Sequence, residues 1–317
     1  MQILFCPEFI SYVLYVWNNV NFMKILPLQN LNKKFNQNKA VKAAVFKGTE
    51  AAGDTFEGGS SIKRDSGIAV SALKFLGFLP SAKKSAPHID FTPAGTIEEG
   101  LKFGRKNLGI KKYEGFNDED LDVLNWINEG LVNVNNMSEG SAVMPARISY
   151  IEWKALAGAG MTLKGRLIIN KSVMNYIKEK AQADRRCVSF KEIMQERAEK
   201  IKENPEEEFE YTSAFSSIYH EAGHLQHHNN LGITYIFLLL LCNQDKEYGR
   251  IYGREALKLK KIFDNSLDTA GKVSEYAQRS PLEFIAECYS KMIDGIKLDD
   301  DVLHLYKKLG GAVLKYK

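Results

Sequence analysis

The sequence predicts an α+β protein whose C-terminal half is mainly helical. Two short runs of branched and aromatic residues, near residues 148 and 166, have the composition of strands. Several longer segments carry apolar residues at the three- and four-residue spacing of an amphipathic helix. The chain shows no internal repeat, and we expect a small mixed sheet among the helices.

The composition is that of an average soluble globular protein. Of 317 residues, 44% are hydrophobic and 26% are charged, which excludes a disordered, collagen-like or multi-pass membrane chain. The 43 basic and 39 acidic residues leave a net charge of only +4, so a dedicated nucleic-acid binder is not expected. The four cysteines are Cys6, Cys187, Cys242 and Cys288. None belongs to a CxxC pair, and we expect buried free thiols in a reducing compartment.

We expect two parts along the chain: residues 1–85, an N-terminal extension and loosely structured arm, and residues 86–317, one folded domain. Between residues 24 and 85 the chain is rich in Asn, Lys, Gly and Ser and has little hydrophobic periodicity. Such a composition buries too little apolar surface to offset the entropy lost when the chain orders by itself. A flexible arm, or one that orders only against a partner, is therefore the expectation.

The first residues predict neither a secretory signal nor a membrane span. The apolar stretch from Met1 to Trp17 is interrupted by Pro7 and Glu8, and it lacks a basic start and a small-residue cleavage site. We expect Met23 to be a more natural start than Met1 for the segment that follows, although the sequence alone leaves both open. A second apolar run, residues 233–242, is too short to cross a bilayer and predicts a buried core element.

The expected folded domain contains further helices and two strands before its main motif. Helices are expected at Thr96–Asn107, with Thr96 as N-cap, and at Asp118–Leu131. Strands are expected at Ile148–Trp153 and Arg166–Asn170, and a charged helix at Phe190–Glu203.

The next helix carries the motif HExxH, at residues 220–224. It has one apolar stripe, formed by Phe215, Ile218, Ala222 and Leu225. Thr212 or Ser213 is the expected N-cap, and Gly232 marks the end. We expect the motif to lie in the middle of an amphipathic helix.

HExxH on a helix has a direct chemical interpretation. His220 and His224 project from one face, one turn apart, where two imidazoles can share a zinc ion. Glu221 lies beside them and can take a proton from a zinc-bound water as general base. Helix geometry carries His227 and His228 away from such a site. For those two residues we expect exposure to solvent, or contact with a residue that binds the metal, rather than metal binding itself.

A catalytic zinc needs a third protein ligand, and the best candidates lie downstream. Ser280 is a natural N-cap, Pro281 a natural first helical residue, and Glu283 and Glu287 follow one turn apart. Ser280-x-x-Glu283 is also a capping box, in which the glutamate merely binds the N-cap amide. On the residues alone, ligand and cap are equally supported for Glu283.

The motif residues resemble a known family. HExxH, followed by Tyr276 and, seven residues later, Glu283-Phe-x-Ala-Glu287, is similar to the catalytic domain of anthrax lethal factor and to zincin domains of phage minor head proteins. A weaker likeness reaches back to about residue 90. Two positions depart from the pattern: Ala222 stands where a bulky residue is usual, and Ile285 where phenylalanine is common.

The resemblance implies a zincin-like metallopeptidase fold with Zn²⁺ as cofactor. It implies that Glu283 is the third zinc ligand, that Tyr276 stabilises the oxyanion or protonates the leaving amine, and that Glu287 orients a zinc-binding histidine. It also implies an edge strand along which an extended substrate lies, and we place that strand at Arg166–Asn170.

Two functions follow as hypotheses. The first is a phage-encoded, zinc-dependent endopeptidase that acts on a polypeptide substrate. The second is a structural protein of a phage head or neck whose zincin domain serves assembly, with capsid or portal proteins as partners and the virion or host cytoplasm as location. A toxin or secreted protease is less favoured, because no credible signal peptide precedes the domain.

Overall fold

A computed structural model describes residues 88–153, 160–163, 165–183, 189–203, 212–243, 253–312 and 314. The predicted arm, residues 1–85, lies outside the described residues, as do Cys6 and Cys187. The described ranges all belong to one compact unit, within residues 80–317.

The structure combines many helices with one small sheet, which confirms the α+β class. The first half contains α1 (Ile97–Asn107), β1 (Lys112–Glu114), a 3-10 turn (Asp118–Asp120), α2 (Leu121–Met137), β2 (Arg147–Ile151), β3 (Gly160–Leu163), β4 (Arg166–Asn170) and α3 (Lys171–Ala183). The second half contains α4 (Phe190–Glu203), α5 (Ser216–Leu231), α6 (Ile233–Asn243), α7 (Arg254–Asp264), α8 (Leu267–Gly271), a 3-10 helix (Tyr276–Arg279), α9 (Pro281–Ile293) and α10 (Asp300–Lys308).

The sheet is mixed, with strand order β1-β2-β4-β3. Strands β1, β2 and β4 run parallel, and β3 pairs with β4 in the antiparallel direction, with Gly160 opposite Ile169. The expectation that Arg166–Asn170 is the edge strand is therefore wrong. That segment is β4, which pairs with β2 on one side and with β3 on the other. Its last four residues are buried, as is typical of a central strand.

Most of the predicted elements match the structure closely. Thr96 caps α1, and its side chain accepts a hydrogen bond from the Glu99 amide. Helix α2 extends six residues beyond the expected end, to Met137, because Val132, Val134 and Asn135 are buried there. The expected cap of α5 is wrong. The helix begins at Ser216 after Phe215, with no side-chain cap, and the Ser216 hydroxyl instead accepts from the Ser213 amide at 2.9 Å.

Helix α5 is the centre of the domain. Every residue from Ser216 to His227 is buried, so the single apolar stripe underestimates how much of the helix is covered. Helix α2 packs on one side, α9 on another, and strand β3 on a third. The Trp126 indole of α2 donates to the Ala214 carbonyl at 2.8 Å and ties α2 to the start of α5.

Helices α5 and α9 approach so closely that one residue between them has no room for a side chain. A methyl group added at Gly223 would lie 2.8 Å from Ala286 Cα and 3.0 Å from Tyr289 Cβ. Because the nearest atom belongs to the backbone, it cannot swing aside as a side chain could. The glycine therefore permits the crossing of the two helices.

The apolar run after α5 forms α6, which packs with α7 in a separate small cluster of buried side chains. Tyr235, Leu238 and Leu241 are buried there, whereas Ile233 at the start of α6 is 60% exposed. The expected core element is thus buried on one face only. Within the described ranges, no helix has both the length and the apolar composition needed to span a bilayer.

The crossing at Gly223 leads to a prediction about stability. Gly223→Ala should lower the free energy of unfolding by about 1–3 kcal/mol, because α9 must move away from α5. Urea unfolding of the purified protein measures this change.

Gly130 on α2 provides the control, because it also faces α5 but the three atoms nearest to an added methyl group are side-chain atoms of Ile218 and Phe215, at 3.0–3.2 Å. Gly130→Ala should cost less, since those atoms can shift and alanine favours a helix. Equal losses for the two variants would contradict the importance of the backbone contact.

Candidate metal centre

Helix α5 presents His220 and His224 toward α9 and Glu221 toward β3, all in largely shielded positions. His220 is 5% exposed, Glu221 8% and His224 9%. The two histidines lie one turn apart on the same face, as HExxH on a helix requires, and their rings meet edge to face with centroids 4.8 Å apart. The partner elements bring further polar groups to this face.

Three side chains converge on one point. The Nε2 atoms of His220 and His224 are 3.1 Å apart, and Glu283 Oε2 lies 3.0 Å from the first and 3.4 Å from the second. His220, His224 and Glu283 also form the group among the described residues whose ligand atoms could hold a metal ion. The structure thus brings together the three residues predicted as metal ligands.

Glu283 lies in the first turn of α9, next to the helix cap, and its carboxylate faces the two imidazoles. Ser280 caps α9, and its hydroxyl accepts from the Glu283 amide at 3.2 Å. The Glu283 carboxylate itself points to His220 and His224, and its side chain is 24% exposed. The serine therefore serves as the cap, while the carboxylate belongs to the histidine cluster.

Glu287 holds the other side of the His220 ring. Its Oε1 lies 2.7 Å from His220 Nδ1, and its Oε2 accepts from the Ser274 hydroxyl at 3.0 Å. The carboxylate is 2% exposed and both of its oxygens are used. A carboxylate on Nδ1 fixes the ring orientation and leaves Nε2 directed at the Glu283 carboxylate.

Charge reinforces this arrangement. Burial lowers the pKa of His220, but hydrogen bonds with Glu283 and Glu287 outweigh it and raise that pKa well above the ordinary value. Burial also raises the pKa of the Glu283 carboxyl, yet the charge of His224 and bonds with both imidazoles bring it well below its usual range. The cluster therefore favours a positive charge between the carboxylates.

Glu221 lies beside strand β3. The Thr162 hydroxyl donates to the Glu221 carbonyl at 2.9 Å, and a methyl group added at Gly160 would lie 3.4 Å from Glu221 Oε1. Burial raises the pKa of the Glu221 carboxyl. Its Oε2 is buried and has no hydrogen-bond partner among the described residues, so this oxygen can accept a proton or a hydrogen bond from a bound molecule.

Tyr276 stands on the 3-10 helix before α9, next to the histidine cluster. Its half-buried ring lies at a centroid distance of 5.7 Å from His220, at an angle of 60°. The Arg279 guanidinium lies over the same ring, 4.6 Å from its centroid. The structure thus places the predicted catalytic tyrosine at the site, between a histidine and an exposed arginine.

His227 and His228 do not belong to the cluster of His220, His224 and Glu283. The expectation of exposure or ligand contact is wrong for His227, which is completely buried with its Nε2 2.9 Å from the Leu309 carbonyl. His228 is partly buried and packs on the Tyr235 ring. Sequence spacing did not show that the C-terminal segment after α10 would cover this part of α5.

Three participants were not predicted: Ser274, Thr162 and Gly160. Ser274 lies two residues before Tyr276, and nothing in a lone serine distinguishes it from a turn residue. Thr162 and Gly160 belong to a strand too short and too mixed in composition to be recognised by alternation. Their contact with α5 depends on the tertiary fold.

No protein-family model, curated protein or solved structure matches this chain. The likeness to lethal-factor-type zincins therefore stays a prediction that rests on residues 220–224 and 276–287. Any function assigned to the chain depends on the geometry of the cluster.

Interpreted as a zinc site, the arrangement predicts graded effects on metal affinity. Glu287→Gln should weaken zinc binding by about 10- to 100-fold, because a neutral amide supports the His220 ring less well. Glu283→Gln should weaken it further, since it removes a ligand charge. Competition with a chromophoric chelator measures both affinities.

The control is Glu275→Gln, which removes an exposed carboxylate from the neighbouring turn and should leave zinc affinity unchanged. If Glu283→Gln bound zinc as tightly as this control, Glu283 would not be a ligand.

Burial of His227 leads to a pH-dependent prediction. Burial lowers the pKa of His227 to about 3, so the folded protein keeps this ring neutral while the unfolded chain binds a proton below about pH 6.5. Its contribution to stability is present above pH 6.5 and is lost as the pH falls toward 3. Between pH 7 and 4 the loss should reach up to about 3 kcal/mol.

His227→Gln should reduce this acid sensitivity, because an amide can donate to the Leu309 carbonyl without titrating. Urea unfolding of both proteins at pH 7 and pH 4 isolates the contribution of His227, since other titrating groups are shared. The same loss on acidification in both proteins would refute the assignment.

Proposed function

We propose that this protein is a zinc-dependent endopeptidase with a zincin-like active site. The observation that supports this most strongly is the triangle formed by His220 Nε2, His224 Nε2 and Glu283 Oε2, with edges of 3.1, 3.0 and 3.4 Å. Zinc bonds of 2.0–2.1 Å at tetrahedral angles place neighbouring ligand atoms about 3.3 Å apart. The three edges are close to that spacing.

The donor set also fits zinc. Two neutral imidazoles and one carboxylate form the protein ligand set of many hydrolytic zinc enzymes, which leaves a coordination position for water or substrate. No thiol lies in the group of ligand atoms that the described residues bring together. His220, His224 and Glu283 would hold the ion, and Glu287 would keep the His220 ring in place.

When bound, zinc would act as a Lewis acid toward the scissile carbonyl and would make water a better nucleophile at neutral pH. Glu221 is the proposed general base. Its buried Oε2 lacks a partner within the described chain, and its raised pKa brings the carboxyl closer to the working range of a base at neutral pH. The same carboxyl would then pass the proton to the leaving amine.

Tyr276 is the proposed donor to the developing oxyanion or to the leaving amine. The Tyr276 ring lies 5.7 Å from the His220 ring, centroid to centroid, which supports a role for its phenol beside the reacting centre. A hydroxyl held in place before reaction stabilises developing charge without the cost of reorganisation.

The proposed binding place for an extended peptide is strand β3. It ends the described sheet, since β4 occupies its other side, and it lies directly against α5 through Thr162. A peptide added to such an edge would form main-chain hydrogen bonds and would cross the position of Glu221. The substrate strand of the zincin hypothesis thus shifts from β4 to β3.

Glu221→Gln tests the proposed chemistry. The variant should bind zinc as the wild type does, because Glu221 is not a ligand, and cleavage should fall by at least about 10²-fold, because the base is lost. Mass spectrometry of a peptide library incubated with each protein measures cleavage, and metal analysis measures zinc. Undiminished cleavage by the variant would contradict the mechanism.

The structural role in a phage head or neck is the alternative proposal. It also predicts bound zinc, so metal content does not separate the two functions. Turnover of library peptides or of co-encoded capsid or portal proteins would favour the enzyme. Stable binding to such proteins without cleavage would favour the structural role.

A further inference from the structure

Ser274 lies where two parts of the site meet. It is 9% exposed, and its hydroxyl donates to Glu287 Oε2 at 3.0 Å. The same hydroxyl accepts from the Ala277 amide at 3.0 Å. One buried oxygen therefore joins the carboxylate on α9 to the 3-10 helix that begins two residues later.

Each of these bonds leads to a different functional group. Through Glu287 the hydroxyl is connected to His220 Nδ1, since that carboxylate bridges the two at 2.7 and 3.0 Å. Through Ala277, which is completely buried, it is connected to the short helix that carries Tyr276. Tyr276 in turn rests against the His220 ring. Both connections therefore end at the His220 imidazole.

We propose that Ser274 is a positioning residue that couples the metal-binding histidine His220 to the segment that carries Tyr276. The inference rests on the proposed function, because it assigns Ser274 a role at the same metal site. The serine touches neither the ligand atoms nor the expected reacting atoms. Its effect passes through Glu287 on one side and through Ala277 on the other.

A second buried serine provides a matched control. Ser290 is 4% exposed, lies on α9 like Glu287, and donates to the Ser216 carbonyl of α5 at 3.3 Å. It links α9 to α5 through a contact that does not involve Glu287. A general loss of packing or of a buried hydroxyl should affect both serine variants, whereas the positioning role concerns Ser274 alone.

The first test is zinc affinity of the full chain, measured by chelator competition. Ser274→Ala should weaken binding by about 10-fold, as the loss of an outer hydrogen-bond partner does, and Ser290→Ala should change it less than about twofold. In the Glu287→Gln background, Ser274→Ala should have no further effect on affinity. Equal affinities of the two serine variants, or full additivity with Glu287→Gln, would overturn the proposal.

The second test follows the other connection without using catalysis. Zinc binding should slow hydrogen exchange of the Ala277 amide by about 10-fold or more in the wild type and in Ser290→Ala, because the ion immobilises His220, Glu287 and Ser274 together. In Ser274→Ala this zinc effect should disappear. If zinc left the hydrogen-exchange rate of the Ala277 amide unchanged in the wild type, the coupling would be refuted. A wild type that binds no zinc would instead refute the proposed metal site.

Discussion

The contact between α5 and α9 is the constraint on which the rest of the site depends. At Gly223 the two backbones approach too closely for any side chain, and this brings residues one turn apart on α9 to both nitrogens of His220. Glu287 takes Nδ1 and Glu283 faces Nε2. A wider crossing would separate the buried Glu287 carboxylate from His220 Nδ1 and leave it without a basic partner, which is costly in a shielded position. The close packing of α5 and α9 therefore determines the geometry of the cluster.

The charges around this contact explain why a cation suits it. Glu221, Glu283 and Glu287 lie around two imidazoles, so acidic groups outnumber basic ones in the cluster even when both histidines are protonated. The raised pKa of His220 shows that the surroundings favour positive charge there. A divalent ion would supply that charge more fully than a proton, and it would occupy the space between the two Nε2 atoms and Glu283.

Local signals explain which features the sequence could predict. Helix caps and periodicity located α1 and α4 closely, and the HExxH spacing placed His220 and His224 on one face. Tertiary contacts decided the rest. A serine-glutamate pair is consistent with either a cap or a ligand until α5 is in place, and the edge position of β3 depends on pairing across the sheet. The burial of His227 likewise depends on a carbonyl 82 residues away.

The central claim is that His220, His224 and Glu283 bind one zinc ion together. X-ray absorption spectroscopy of the zinc-loaded full chain tests it most directly, because the spectrum reports the identity and distance of the ligand atoms. The account predicts nitrogen and oxygen ligands at about 2.0–2.1 Å, with the scattering pattern of two imidazoles that is reduced to one in His224→Ala. Sulfur ligands at about 2.3 Å, or a spectrum unchanged by that substitution, would contradict it.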